Sequence, residues 1–210
     1  MYYSLKEQII QLKLKPGAAL SENEMASQFR VSRTPIRESF VRLAQEGLVQ
    51  VIPQKGTFVA LINRALVDEA RFMRMQLELA IVKEACKSFP QSSLNELETN
   101  LELQKKCLED KDEEAIFILD QQFHYTIFAG VNKPHIWNNM NLLTVHLDRC
   151  RRLRLIDNDS WQDIYQQHIQ IYQAIKEKNI IDAMNTVETH LNSSVHDIEI
   201  LEKKYPSYFN

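Results

Sequence analysis

Ser32-Arg33-Thr34-Pro35-Ile36-Arg37-Glu38-Ser39-Phe40-Val41-Arg42-Leu43 is the stretch whose reading decides the fold. Ser32 or Thr34 can accept a backbone N–H of a first helical turn, and Pro35 carries the preset φ which that turn uses. Ile36, Phe40 and Leu43 recur at helical spacing, so one face is apolar. Arg33 and Arg37 stand four residues apart on a single face, with Thr34 beside them. Upstream, Val31-Ser32 makes a short turn, and Ser21-x-x-Glu24 fits a capping box that opens another helix through Met25, Ala26 and Phe29. Before that, Leu5, Ile9 and Leu12 predict a helix over residues 4–14, stopped by Lys15-Pro16-Gly17. Downstream, Gly47 ends the Arg-bearing helix. The β-branched runs Leu48–Ile52 and Thr57–Leu61 follow, joined as a hairpin by Pro53-Gln54-Lys55-Gly56. Three helices and a two-stranded ribbon within 62 residues describe a winged helix-turn-helix.

Beyond Ala65 the periodicity is helical throughout. Leu66, Ala70, Met73, Leu77 and Ile81 form one stripe, ending before Phe89-Pro90. Leu94, Leu97, Leu101 and Leu108 mark a second helix. Leu119, Phe123 and Ile127 mark a third, closed by Gly130 and Asn132-Lys133-Pro134. Ile136, Met140, Leu143 and Leu147 begin a fourth, interrupted near Asp157-Asn158-Asp159. Ile164, Ile171 and Ile175 mark a fifth, and Ala183, Val187, Leu191 and Ile198 a sixth. Short connections make this a compact antiparallel bundle. The expected fold is therefore mainly α. A winged helix-turn-helix over residues 1–63 precedes an all-helical domain over residues 64–210, with no internal repeat.

Composition excludes several classes. The 210 residues are 44% apolar and 25% charged, an ordinary core-forming mixture rather than a disordered or fibrous one. Only 4 Gly and 6 Pro argue against an all-β chain with many tight turns. The longest apolar run, Phe58–Ile62, is too short to span a bilayer, and the N-terminus lacks a signal-peptide pattern. Cys86, Cys107 and Cys150 form no C-x-x-C pair, so no disulfide framework or Cys-based zinc site is expected. A cytoplasmic address without membrane contact follows as the expectation. Net charge is −3, but it divides unevenly: residues 1–64 hold nine Lys+Arg against five Asp+Glu, and the remainder holds 16 against 23. A basic module on an acidic body suits a chain of which one part meets phosphate.

The basic module carries its cations in useful places. A recognition helix reads bases through its N-terminal residues, and a guanidinium can bind guanine O6/N7 with two hydrogen bonds. Arg33, Thr34 and Arg37 occupy that turn, and the wing tip offers Lys55 and Gly56. An isolated pair of helix arginines is more often merely solvated; here the surrounding turn, capping and hairpin pattern favours contact with double-stranded DNA. Pro16-Gly17-x-x-Leu20-Ser21-Glu22, Val31–Glu38, Glu46-Gly47-Leu48-Val49 and Pro53-x-x-Gly56-Thr57-Phe58-Val59 resemble the DNA-binding domain of GntR-family bacterial transcription regulators. The resemblance covers residues 4–62. It implies operator contacts from Arg33, Thr34 and Arg37, a minor-groove wing at Gly56, and a further contact position at Asn23. The short stretch before the first helix departs from members with a longer N-terminal arm.

The helical half holds a second pattern. Asp120-x-x-x-His124 sets a carboxylate and an imidazole one turn apart beside the Leu119/Phe123/Ile127 stripe. His168 lies inside the Ile164/Ile171/Ile175 stripe, and His190 lies one turn from Val187 and Ser194. Three imidazoles and a carboxylate from three helices suit a divalent transition ion, although each histidine taken singly is as readily a hydrogen-bonded core residue. His135, His146 and His196 fit the set less well and read as structural or solvated. Arg74-x-x-Leu77-Glu78, Asp120-x-x-Phe123-His124 with Asn132, and His168 and His190 on either side of Ala183 resemble the FCD-type domain of the FadR-like branch of the same family. That resemblance covers residues 66–205. It implies a metal, often zinc or nickel, held by one Asp and three His, and a small carboxylate effector received by the metal and a nearby arginine.

Arg74, at the edge of its stripe, is the candidate for that arginine; its plainer use is a surface ion pair with Glu78, four residues on. The expected function is a homodimeric, ligand-responsive transcription regulator on a palindromic operator. Two alternatives remain. A His/Asp metal site could activate water in a hydrolase, although no H-E-x-x-H motif, Ser/His/Asp order or phosphate-binding Gly loop is present. The bundle could also be a dimerisation device without effector.

Overall fold

The computed structural model describes residues 1–157, 161–193 and 198–210. The chain forms two compact units: Met1–Ala70 with Leu142–Leu153 and Asp197–Asn210, and Arg71–Asn141 with Arg154–His196. Among the described residues no helix is long and apolar enough to cross a membrane.

The first unit begins with α1 (Tyr2–Ile10), β1 (Ala19–Leu20), α2 (Glu22–Phe29), α3 (Arg33–Gln45), β2 (Val49–Ile52) and β3 (Gly56–Val59). The Ser21 side chain accepts the Glu24 N–H at 3.3 Å and caps α2. Ser32 caps α3 by position, without a side-chain hydrogen bond. Gly47 follows α3 at φ +72°, a conformation that favours glycine. The ribbon is antiparallel, with Val49 opposite Val59 and Ile52 opposite Gly56. A third strand joins it: Ala19 and Leu20 pair with Phe58 and Thr57, giving the order β1-β3-β2. Leu5, Ile9, Ile36, Phe40, Leu43, Leu48 and Val59 make its core. The two-stranded ribbon expected from sequence is therefore three-stranded. A two-residue strand has no periodicity of its own and exists only through its partner.

The segment after the wing is held at several points. In the first unit α4 (Arg64–Lys87) begins, α8 (Val145–Asp157) supplies its first turns, and α11 (Ile198–Lys204) leads to a 3₁₀ turn, Pro206–Tyr208. Ile62 bridges to Phe209, its N–H donating to the Tyr208 carbonyl at 2.8 Å. Arg149 Nη2 donates to the Ala60 carbonyl at 2.6 Å. The Asn63 N–H donates to His146 Nδ1 at 3.1 Å, while the Asn63 side chain caps α4 at the Leu66 N–H. His146 is thus structural, and an accepting Nδ1 requires it neutral. Burial, then the charge of Arg149, push its pKa down to about 4, against a backbone hydrogen bond with Gly47.

A folded-state pKa below the unfolded value of 6.5 means that the unfolded chain binds the extra proton. The contribution is complete above that value and is lost as pH falls toward the folded one. We expect His146 to cost about 2 kcal/mol of stability at about pH 5 relative to about pH 7. His146→Gln keeps an acceptor for Asn63 and should flatten that part of the slope in urea unfolding. An unchanged slope would remove His146 from the account.

The second unit contains most of α4, then α5 (Gln91–Asp110), α6 (Glu113–Gly130), α7 (Pro134–Leu143), α9 (Trp161–Lys176) and α10 (Ile180–Ser193). Ile81, Val82, Leu97, Phe123, Phe128, Trp137, Ile171 and Val187 lead its core. The fifth stripe is buried as expected, and so are Ala183, Val187 and Leu191 of the sixth on α10, whereas Ile198 is buried on the separate helix α11 of the first unit. Two further stripes are corrected. The fourth predicted helix is two, α7 and α8, broken at Thr144, whose hydroxyl donates to Asp148 at 3.0 Å; the break leaves Leu143 63% exposed. On α4 the buried line is Val67, Ala70, Arg74, Glu78, Ile81 and Ala85, so two charged residues take core positions while Leu66 stays outside.

Candidate nucleic-acid interface and candidate metal centre

Helix α3 leaves Arg33, Thr34 and Arg37 exposed, and Asn23 of α2 is exposed too. Glu22, at the start of α2, receives both guanidiniums. Arg33 donates from Nη2 at 2.8 Å, and Arg37 from Nε at 2.9 Å and Nη2 at 3.0 Å. Hydrogen bonds from Arg37 and then Arg33 push the Glu22 carboxyl down to about 2. The pairs are solvent-facing, so they orient the guanidiniums more than they stabilise the fold. At the wing tip Gln54 has φ +63° and Gly56 φ +120°. A Cβ on Gly56 would have room, its nearest neighbour being the Phe58 ring at 3.8 Å, so backbone conformation rather than crowding selects glycine there. Lys55 and Gly56 are both exposed.

The second unit brings together the four residues that the sequence singled out. Asp120 and His124 on α6, His168 on α9 and His190 on α10 are buried, and one ligand atom from each lies within 4.8 Å of the others. His124 Nε2 stands 3.1 Å from His190 Nε2, and His168 Nε2 stands 3.6 Å from Asp120 Oδ1. Each imidazole rests its other nitrogen on an oxygen: His124 Nδ1 on Glu78 at 2.7 Å, His168 Nδ1 on Gln104 at 2.9 Å, and His190 Nδ1 on Gln167 at 2.9 Å. Such outer partners are the usual means of turning an imidazole's second nitrogen toward a metal. Burial, then the neighbouring His168 and His124, hold the His190 pKa well below its ordinary value.

Chemically this set fits a cation. Burial alone would raise the Glu78 carboxyl, but Arg74 and His124 outweigh it and hold it below the carboxylate range. An ionised Glu78 only accepts, so His124 Nδ1 carries the hydrogen, and in the neutral imidazole Nε2 keeps a lone pair. When His190 likewise donates from Nδ1 to the Gln167 oxygen, a second lone pair is turned toward the first across 3.1 Å. A cation accepting both relieves that opposition. Asp120, His124, His168 and His190 could therefore hold one divalent ion.

Arg74 is fully buried, not at a surface. Its Nε bonds to Glu78 at 2.5 Å, its guanidinium lies over the Trp137 ring at 6.0 Å, and its Nη2 has no hydrogen-bond partner among the described residues. One carboxylate thus joins Arg74 to His124. Glu78, Gln104 and Gln167 were missed as outer partners. A signal existed for Gln104: it fills the gap in the Leu94, Leu97, Leu101, Leu108 stripe of α5, a core position held by a polar residue. His135 is exposed, and Ser194 and His196 lie outside the described residues.

A winged helix-turn-helix with a basic reading face, followed by a helical unit with an inward His/Asp cluster, is the architecture of a DNA-binding transcription regulator. Comparison with known proteins agrees. Residues 1–59 match the bacterial regulatory proteins of the gntR family, and residues 69–193 match the FCD domain. An uncharacterized HTH-type transcriptional regulator in an unstable DNA locus of Streptomyces ambofaciens is 38% identical over 209 residues, covering 100% of this chain and 88% of that protein. The HTH-type transcriptional repressor RspR of Escherichia coli K12 is 28% identical over 210 residues, covering 100% of this chain and 92% of its own. Among solved structures, E. coli McbR/YncC has a TM-score of 0.80 at 25% identity, covering 97% of this chain and 96% of its own. The chain belongs to the GntR family of bacterial transcription regulators, with an FCD domain.

Proposed function

We propose that this regulator binds a palindromic operator as a homodimer and that a metal-anchored organic acid sets its operator affinity. Residues 1–63 read DNA through Asn23, Arg33, Thr34, Arg37, Lys55 and Gly56. Residues 64–210 bind effector and dimerise, and the protein works in the cytoplasm. Asp120, His124, His168 and His190 hold one divalent transition ion, zinc or nickel. The observation that carries this reading is the convergence of four buried ligand atoms within 4.8 Å. One carboxylate and three neutral imidazoles leave a divalent ion with a net charge of about +1, and that charge supplies a Lewis-acid centre for a carboxylate oxygen. Arg74 orients the acid; its buried Nη2, without a hydrogen-bond partner among the described residues, supports that use. The relatives are named as regulators, which favours a regulatory over a hydrolytic use of the cluster.

Thermal shift against mono-, di- and hydroxy-acids tests the effector class. A stabilising acid should lose its effect with chelator, and Arg74→Ala should lose most of it. A neutral sugar or amine that stabilises the metal-free protein equally well would refute the proposal.

A further inference from the structure

Gln104 and Asn100 are buried amides on α5, 1% and 7% exposed, on a face they share with Ser93, Leu97 and Leu101. Burying two amides in an apolar stripe is unfavourable unless their polar atoms are used. Here they form a directed chain. The Leu119 carbonyl can only accept, so the atom of Asn100 that faces it at 3.1 Å is Nδ2. Asn100 Oδ1 therefore faces Gln104, which meets it with Nε2 at 2.6 Å. That leaves Gln104 Oε1 against His168 Nδ1 at 2.9 Å. An amide oxygen can only accept, so His168 Nδ1 carries the hydrogen, and in the neutral imidazole Nε2 keeps its lone pair.

The opposite tautomer has a competitor on its side. His168 Nε2 lies 3.6 Å from Asp120 Oδ1, and an anionic oxygen draws an N–H toward itself. A hydrogen on Nε2 would block that nitrogen as a metal ligand. The 3.6 Å separation is beyond hydrogen-bond length, whereas the Gln104 contact is within it. The Phe123 ring stacks on His168 at 4.3 Å and 19°, which fixes the plane of the imidazole but not which edge faces α5. The amide chain chooses the edge.

We infer that Gln104, oriented by Asn100 and the Leu119 carbonyl, is the positioning residue that fixes His168 in the Nδ1–H tautomer, the form whose Nε2 a metal accepts. The inference rests on the metal reading above, but its primary readout does not need the metal. Full-length protein labelled with ¹⁵N-histidine and stripped of metal is examined by two-bond ¹H–¹⁵N correlation, His168 being assigned by the signals lost in His168→Gln. We expect Nδ1–H in the wild type. Gln104→Leu should move His168 toward Nε2–H and weaken zinc binding about 10- to 100-fold by competition with a chromophoric chelator. Gln104→Glu, which still offers an oxygen to Nδ1, should keep the wild-type tautomer and most of the zinc affinity. An Nε2–H wild type, or a Gln104→Leu protein with unchanged tautomer and affinity, would overturn the inference. A wild type locked as Nδ1–H that binds no zinc would bear out the positioning role and overturn the metal reading instead.

Discussion

Arg37→Ala should weaken operator binding about 5- to 150-fold while barely changing affinity for random DNA, because loss of a bidentate base contact costs about 1–3 kcal/mol. Arg37 is exposed and pairs with the solvent-facing Glu22, so circular dichroism and unfolding should be unaltered. Arg33→Ala should behave alike, since both guanidiniums are forked on the same carboxylate. Lys55→Ala makes a useful contrast. A phosphate contact is lost on every sequence, so binding should weaken uniformly, with the salt slope smaller by about 1. Equal loss on operator and random DNA for Arg37→Ala would refute base reading by that residue.

The second large effect concerns the histidines. His168→Ala and His190→Ala should each abolish stoichiometric metal, because each removes the one ligand that its helix, α9 or α10, brings to the set. At free metal a thousand times the Kd, binding stabilises the folded state by about 4 kcal/mol, which in a chain of this size is on the order of 10 °C. Chelator should lower the Tm of the wild type by that amount and leave both variants unmoved. Metal should also leave as pH falls through the histidine range, since the ligands must be deprotonated. Full stoichiometry in both variants would mean that other residues hold the ion.

The sequence made the winged helix-turn-helix legible because local signals agreed there: a capping serine at Ser21, a proline in the first turn of α3, Gly47 beyond its end and a Pro–Gly turn in the wing. The four inward groups were legible for a similar reason, each lying on or beside an apolar stripe. What stayed hidden depended on partners distant in sequence. β1 is two residues made into a strand by Phe58 and Thr57. Arg74 and Glu78 sit in the core because each neutralises the other and His124 completes the arrangement, and hydrophobic periodicity reads such residues as surface. Helix α8 is the clearest case. Asp148, Arg149, Arg151 and Arg152 are all buried, so over residues 145–153 charged and apolar positions are buried alike and no apolar stripe marks a buried side. His146 looked spare in the sequence because its partner, the Asn63 N–H, is a backbone group that no side-chain pattern announces.

Operator affinity by fluorescence anisotropy, with metal-loaded protein in the presence and absence of a stabilising acid, tests effector control of DNA binding most directly. If the metal-bound acid prefers one DNA-binding state, the Kd should change by about 5- to 150-fold, the usual range of coupling between sites. Chelator or Arg74→Ala should abolish the change. An operator Kd that is the same with the acid bound and absent would contradict the account.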